Sequence, residues 1–191
     1  MSPIPAFLSS PAVLPPFTGT GPAIPSGRSP YRVSMEEVVT RFASSKQRQD
    51  ILRGLVRYRK QLRHLRLGAE FQWLAGSFVE DPGREPRDID VVTFYRLTPS
   101  QLNDLRSDPQ RWQDLQGLAD AQSTKAAFLC DAYLVNMSSP GAALVSQVHY
   151  WYGLFSHQRG SLAWKGMLEV QIESADDDIQ AEDLISQAVI S

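Results

Sequence analysis

Apolar and polar positions along this chain fall into periods separated by turns. Between residues 46 and 67, apolar side chains recur at Ile51, Leu55, Tyr58, Leu62 and Leu65. This alternation of four- and three-residue steps draws one stripe along a helix. It predicts a helix from about Lys46 to Leu67, with Gly68 as its C-terminal breaker. Just ahead, Ser34-Met-Glu-Glu37 has the form of a capping box and predicts a short helix to about Ala43. The run Asp88-Ile-Asp-Val-Val-Thr-Phe-Tyr95 is rich in β-branched and aromatic residues and predicts a strand. A similar run from Ala126 to Val135 predicts another, with Asp131 in mid-strand, where an acid is unusual. Thr98-Pro99 and Asp108-Pro109 each pair an N-cap with proline at the first helical position. They predict two short helices carrying Leu102, Leu105, Trp112, Leu115 and Leu118. Past the turn at Ser138 to Gly141, a helix is predicted to about Ser156, with Leu144, Val148, Trp151, Tyr152 and Phe155 as its apolar positions. Gly166 to Ile172 predicts a last strand, and Ile179 to Ile190 a weak terminal helix. The order strand, strand, helices, strand, helix, strand is that of an α+β fold, a mixed sheet flanked by helices.

The first thirty residues differ in composition, holding eight of the 13 prolines. Helix is excluded at that density. Phe7, Leu8, Val13, Leu14, Phe17 and Ile24 are interleaved with the prolines. They support an extended arm that packs on the domain or on a second subunit, against a floppy tail. The chain therefore divides into a Pro-rich extended arm (1–33), one domain (34–175) and an acidic tail (176–191). A length of 191 residues suits one domain with extensions. The single cysteine, Cys130, rules out an intrachain disulfide and fits a reducing compartment. It falls on the opposite strand face from Asp131, as a small core residue would. No apolar stretch approaches the roughly 20 residues of a membrane span, and the N-terminus lacks a secretory signal pattern. The expectation is a cytoplasmic protein that does not engage membranes.

Net charge is −2, yet the helix at 46–67 is strongly basic. Arg48, Arg53, Arg57, Arg59, Lys60, Arg63, His64 and Arg66 face only Asp50. Such a run reads as a solvated face, as an attractor of phosphate on a triphosphate or nucleic acid, or as the partner of the acidic tail. From Glu169 onward there are seven acids and no Lys or Arg. No His/Cys cluster has zinc spacing, so His149 and His157 read as structural or surface residues.

The chemistry concentrates around Asp88 and Asp90. Alternation along a strand sends both to the same side, about 7 Å apart. Paired carboxylates repel unless a cation lies between them, and Mg²⁺, with Mn²⁺ as its substitute, is the hard cation that suits them. The bland reading is a surface hairpin with its aspartates in water. Ahead of them lie Gly76-Ser77 and a spacer, Phe78 to Arg87, of about ten residues.

Gly-Ser, this spacer and Asp-x-Asp on a strand resemble the nucleotidyltransferase superfamily that shares the DNA polymerase β catalytic core. The wording Gly76-Ser77-Phe78, a loop ending Pro86-Arg87, then Asp88-Ile89-Asp90 is similar to a group of bacterial nucleotidyltransferase-like proteins. Leu14-Pro15-Pro16, Arg48-Gln-Asp-Ile-Leu52 and Trp164-Lys165-Gly166-Met-Leu extend the resemblance.

The resemblance implies a polymerase β-type core and transfer of a nucleoside monophosphate from a triphosphate to a hydroxyl of a protein, an RNA or a small molecule. Asp88 and Asp90 would hold two metal ions. Asp131 would be the third carboxylate, metal ligand and general base. Gly76 would let backbone approach phosphate, Ser77 would contact the terminal phosphates, and Lys165 would offset their charge, with Arg159 and Lys125 as further candidates. The resemblance also implies a toxin–antitoxin or phage-defence setting, with a homodimer or a cognate partner protein. Two other readings stand beside it. One is a catalytically inactive binding or antitoxin-type module, in which Arg87 pairs with a carboxylate in place of metal and Glu80, Asp81, Arg84 and Glu85 crowd the phosphate site. The other is an RNA-binding protein acting through the basic helix.

Overall fold

The computed structural model describes residues 4–24, 27–81, 83–172 and 175–188. Its elements run β1 (Tyr31–Val33), α1 (Met35–Phe42), α2 (Lys46–His64), β2 (Ala69–Ala75), β3 (Ile89–Tyr95), α3 (Pro99–Ser107), α4 (Pro109–Ala119), α5 (Ala121–Phe128), β4 (Cys130–Asn136), α6 (Gly141–Phe155), β5 (Leu168–Gln171) and α7 (Ala175–Gln187). A 3₁₀ turn at Gly76–Val79 follows β2. The strands form one mixed sheet in the order β1-β5-β2-β3-β4. β2 is antiparallel to both β3 and β5, whereas β3 with β4 and β1 with β5 are parallel pairs.

Strand alternation sorts the sheet into two faces. Ile89 and Val91 of β3, Cys130 and Ala132 of β4, and Leu168 and Val170 of β5 join the larger core with α1, α2, α4 and α7. The α2 stripe Ile51, Leu55, Tyr58, Leu62 and Leu65 lies wholly in that core. Ser34 closes the capping box of α1 with Glu37, and the Ser45 side chain accepts from the Arg48 amide to start α2. The opposite face carries Trp73, Ala75, Val92, Phe94 and Val135 under α6, which contributes Leu144, Val148, Trp151, Tyr152 and Phe155.

Two elements differ from the sequence expectation, helix α5 and strand β1. Residues 121–128 form helix α5 rather than the start of a strand: Asp120 caps it through the Ser123 amide, and Leu129 ends it at φ 56. The N-terminal segment packs on the domain, with Val13 and Leu14 fully buried, and its last residues supply edge strand β1. The acidic C-terminal segment is helix α7 laid against α1 and α2, with Ala181, Ile185 and Asp178 buried. The expected terminus of that helix, Ile190, lies outside the described residues.

The basic helix is mostly spoken for. Arg48 and Arg59, expected on its charged surface, are both fully buried. Arg59 Nε donates to Asp178 Oδ1 at 2.6 Å, and Arg63 Nη2 lies 2.5 Å from Asp178 Oδ2. Lys60 pairs with Glu182 at 2.7 Å and Arg53 with Asp50 at 3.1 Å. Pairing with the acidic segment is thus the arrangement found for Arg59, Lys60 and Arg63. Among the described residues no helix is long and apolar enough to cross a membrane.

Candidate active site

β3 and β4 run parallel in a register that sets Asp90 opposite Asp131 and Ile89 opposite Cys130. Matched residues on neighbouring strands share a face, so both aspartates lie on the α6 side while Cys130 faces the larger core. Asp88 stands one residue before β3. All three carboxylates line one cavity of about 630 Å³, together with Gly76, Ser77, Lys125 and Lys165. The six predicted site residues are therefore brought together.

The glycine of the turn has a more specific reason than the sequence suggested. Ala75, the last residue of β2, is paired with Asp90, and the chain turns at Gly76 with φ 76°. A Cβ on Gly76 would lie 1.7 Å from Asp90 Oδ2 and 2.8 Å from its Cγ. Glycine is needed both for the left-handed backbone and for the carboxylate that fills the space. Ser77 follows on the 3₁₀ turn, and its hydroxyl makes no hydrogen bond among the described residues.

Lys165 is almost fully buried. Its ammonium donates to Glu80 Oε1 at 2.5 Å and to the Gly76 carbonyl at 3.3 Å, and Gln158 Nε2 donates to the second Glu80 oxygen at 3.1 Å. Lys165 thus ties the approach to β5 onto the Gly-Ser turn, and part of its charge is met by Glu80. Next to it, the Gly166 amide donates to the Leu14 carbonyl at 2.7 Å. A Cβ on Gly166 would meet the Pro15 carbonyl oxygen at 2.5 Å. Arg48 completes the set: its guanidinium donates to the carbonyls of Phe78, Asp81 and Arg84 at 2.8, 3.1 and 3.0 Å, against the Phe78 ring. The segments around Leu14, Arg48 and Lys165, far apart in sequence, converge on the turn that opens the cavity.

Charges are uneven. Burial, followed by repulsion from Asp131 and Asp88, pushes the Asp90 carboxyl up to about 6, while Arg159 and Lys165 act in the opposite sense. Lys125 Nζ, on α5, lies 2.5 Å from Asp88 Oδ2 and 4.0 Å from Asp131 Oδ2. That hydrogen bond with Asp88 raises the Lys125 pKa. Arg87, which the inactive-module reading would pair with a carboxylate, is exposed and makes no ion pair among the described residues. The Tyr133 hydroxyl, two residues beyond Asp131 on the same face, is raised to about 12 by burial and by that carboxylate.

Among the described residues no group of three His, Cys, Asp or Glu side chains stands ready to hold a metal ion. The donor set nonetheless suits a hard divalent cation: the carboxylate oxygens of Asp88, Asp90 and Asp131 share one cavity and no thiolate lines it. His157 also lines the cavity, but its Nδ1 is engaged with the Gly153 carbonyl and Ser156 Oγ, each at 3.0 Å.

Glu80, Lys125 and Arg48 carry more of the site than sequence reasoning assigned them. For Arg48 a signal existed: it continues the α2 stripe at the spacing 48, 51, 55, 58, 62, 65.

Fold and site together define a mixed α+β protein with a cavity at one end of its sheet, opened by a glycine turn and lined by both carboxylates and cations. Residues 5–171 match the model of a family of unknown function (DUF6932), and the chain belongs to that family. Neither a curated protein nor a solved structure matches the chain.

Proposed function

We propose that the protein is a metal-dependent nucleotidyltransferase with a polymerase β-type core, moving a nucleoside monophosphate from a triphosphate to a hydroxyl. One observation carries this reading: Asp88, Asp90 and Asp131 face one cavity whose rim is the Gly76-Ser77 turn, with Gly76 fitted to Asp90. Asp88, Asp90 and Asp131 would hold Mg²⁺ or Mn²⁺, which when bound offsets charge on the attacking and leaving oxygens. The chain's own groups do the rest. Ser77, with its uncommitted hydroxyl, offers a donor to phosphate oxygens. Arg84, Arg159 and Lys165 line the cavity and balance a triphosphate's negative charge. Asp131 takes the proton of the attacking hydroxyl; that oxygen bonds to the α-phosphorus as the bond to the leaving pyrophosphate breaks.

The test is thermal shift. Mg²⁺ and a triphosphate together should raise Tm by about 5 °C or more at saturation, and by more than either alone. Asp88→Asn with Asp90→Asn should abolish the response. A native protein indifferent to the pair would overturn the reading. Incubation with labelled triphosphates and cell extract then identifies the acceptor.

A second reading has its own observation. Lys125 already supplies a cation to Asp88 and stands near Asp131, the arrangement expected of an inactive module in which a side chain has replaced the metal. Such a module would show no response to Mg²⁺ and nucleotide.

A further inference from the structure

Lys125 sits where the two readings part. Its helix cannot move easily. Gly54 of α2 lies against the Phe128 carbonyl, where a Cβ would stand 1.8 Å from the oxygen, and Arg57 Nη2 donates to the Ala127 carbonyl at 3.0 Å. The backbone that carries Lys125 is therefore fixed on α2. The side chain is not: it remains 51% exposed while its ammonium reaches into the carboxylates. A long flexible arm on an immobile base can leave the cavity by rotation about its own bonds.

We propose that Lys125 is an internal competitor of the divalent cation, pairing with Asp88 and Asp131 when no ion is bound and leaving them when one arrives. This rests on the metal-dependent reading of the same site. An ammonium and a divalent ion meet the same need, positive charge among carboxylates that otherwise repel. Tethered to α5, the ammonium is present at a constant effective concentration. The metal must displace it, so it sets a threshold of metal concentration below which the cavity stays closed by its own side chain. A half-exposed ion pair is weak enough to be broken, which makes displacement feasible where a buried pair would be permanent.

The test measures Mn²⁺ binding directly, by electron paramagnetic resonance of the free ion, on the native chain, Lys125→Met and Lys125→Arg. Circular dichroism confirms that each is folded. Met keeps the length and removes the charge; Arg keeps a cation. The expected result is that Lys125→Met binds Mn²⁺ at least about fivefold more tightly than the native chain, and Lys125→Arg does not. In EDTA the Met variant should also melt below the native protein, and Mn²⁺ should raise its Tm more. Equal Mn²⁺ affinity in the native chain and the Met variant would overturn the competitor while leaving the metal site standing. Binding by the Met variant alone would make Lys125 a permanent replacement, overturning displacement and favouring the inactive module. No binding by either would remove the metal site and the inference together.

Discussion

At the scale of single residues, Gly76 and Asp90 form a matched pair. The backbone at φ 76° and the carboxylate oxygen 1.7 Å from the missing Cβ leave no room for alanine. Gly76→Ala is expected to displace Asp90 or the turn, costing about 2 kcal/mol or more in denaturant unfolding, and to abolish the joint response to Mg²⁺ and nucleotide. Retention of both would show that the turn tolerates a side chain. Asp90 itself is held at a cost. Its carboxyl titrates at about 6 in the fold against the ordinary 3.8, so between those values the native state binds more protons than the unfolded chain. Stability from this residue therefore falls as pH rises through that window and stays lowered above it. Asp90→Asn removes the effect. In EDTA the variant should be more stable than the native protein at pH 7, by about 2 kcal/mol, with the difference vanishing below pH 4. A difference independent of pH would contradict the assignment. Both residues were visible in the sequence as chemistry, but their mutual fit was not, because nothing in a Gly-Ser pair reveals which side chain will lie above it.

At the scale of elements, the apolar stripe located α2, and the β-branched and aromatic content located β3, to within a few residues. Content of that kind misplaced the start of β4. Lys125-Ala-Ala-Phe128 belongs to a helix whose boundary is set by the Asp120 cap and the left-handed Leu129, and neither feature disturbs an apolar count. The basic face of α2 misled for a related reason. Arg59 has the spacing of a buried residue, four beyond Leu55 and three before Leu62, yet charge argues for the surface until Asp178 is known to meet it. A fully buried pair is costly to break from one side. Asp178→Ala should therefore strand Arg59 and destabilise the chain by about 3–5 kcal/mol, measured in urea. Replacing the exposed Glu182, the partner of Lys60, should cost under about 1 kcal/mol. If the two losses were equal, α7 would be held by its apolar contacts alone.

For the molecule as a whole, the sequence revealed the α+β class, the order of most elements and the three carboxylates, because each is encoded locally. It could not reveal what depends on long-range meetings. These include Arg48 on the carbonyls beyond the turn, Lys165 on Glu80, and the Pro-rich segment under Gly166. The resemblance segments around Leu14, Arg48 and Lys165 were legible only as separate patterns; their shared purpose is the support of one turn.

The partnership of β1 with β5 also sets a timetable. Arg32 and Glu169, paired side by side, are 137 residues apart, and β5 is the sheet neighbour of β1. On a ribosome β1 appears before every other strand of the sheet and its neighbour β5 after them, and contacts of such separation form slowly. Lys165, one turn of chain before β5, arrives at the Gly-Ser turn on the same schedule. A nascent chain stalled before residue 165 thus holds the three aspartates without Lys165 and leaves Leu14 without the Gly166 segment that meets it. Limited proteolysis of stalled chains should find the Pro-rich segment sensitive until β5 has emerged and protected afterwards; protection at the earlier length would show that the arm docks without it. The cavity is finished only once the segment carrying Lys165 has been made.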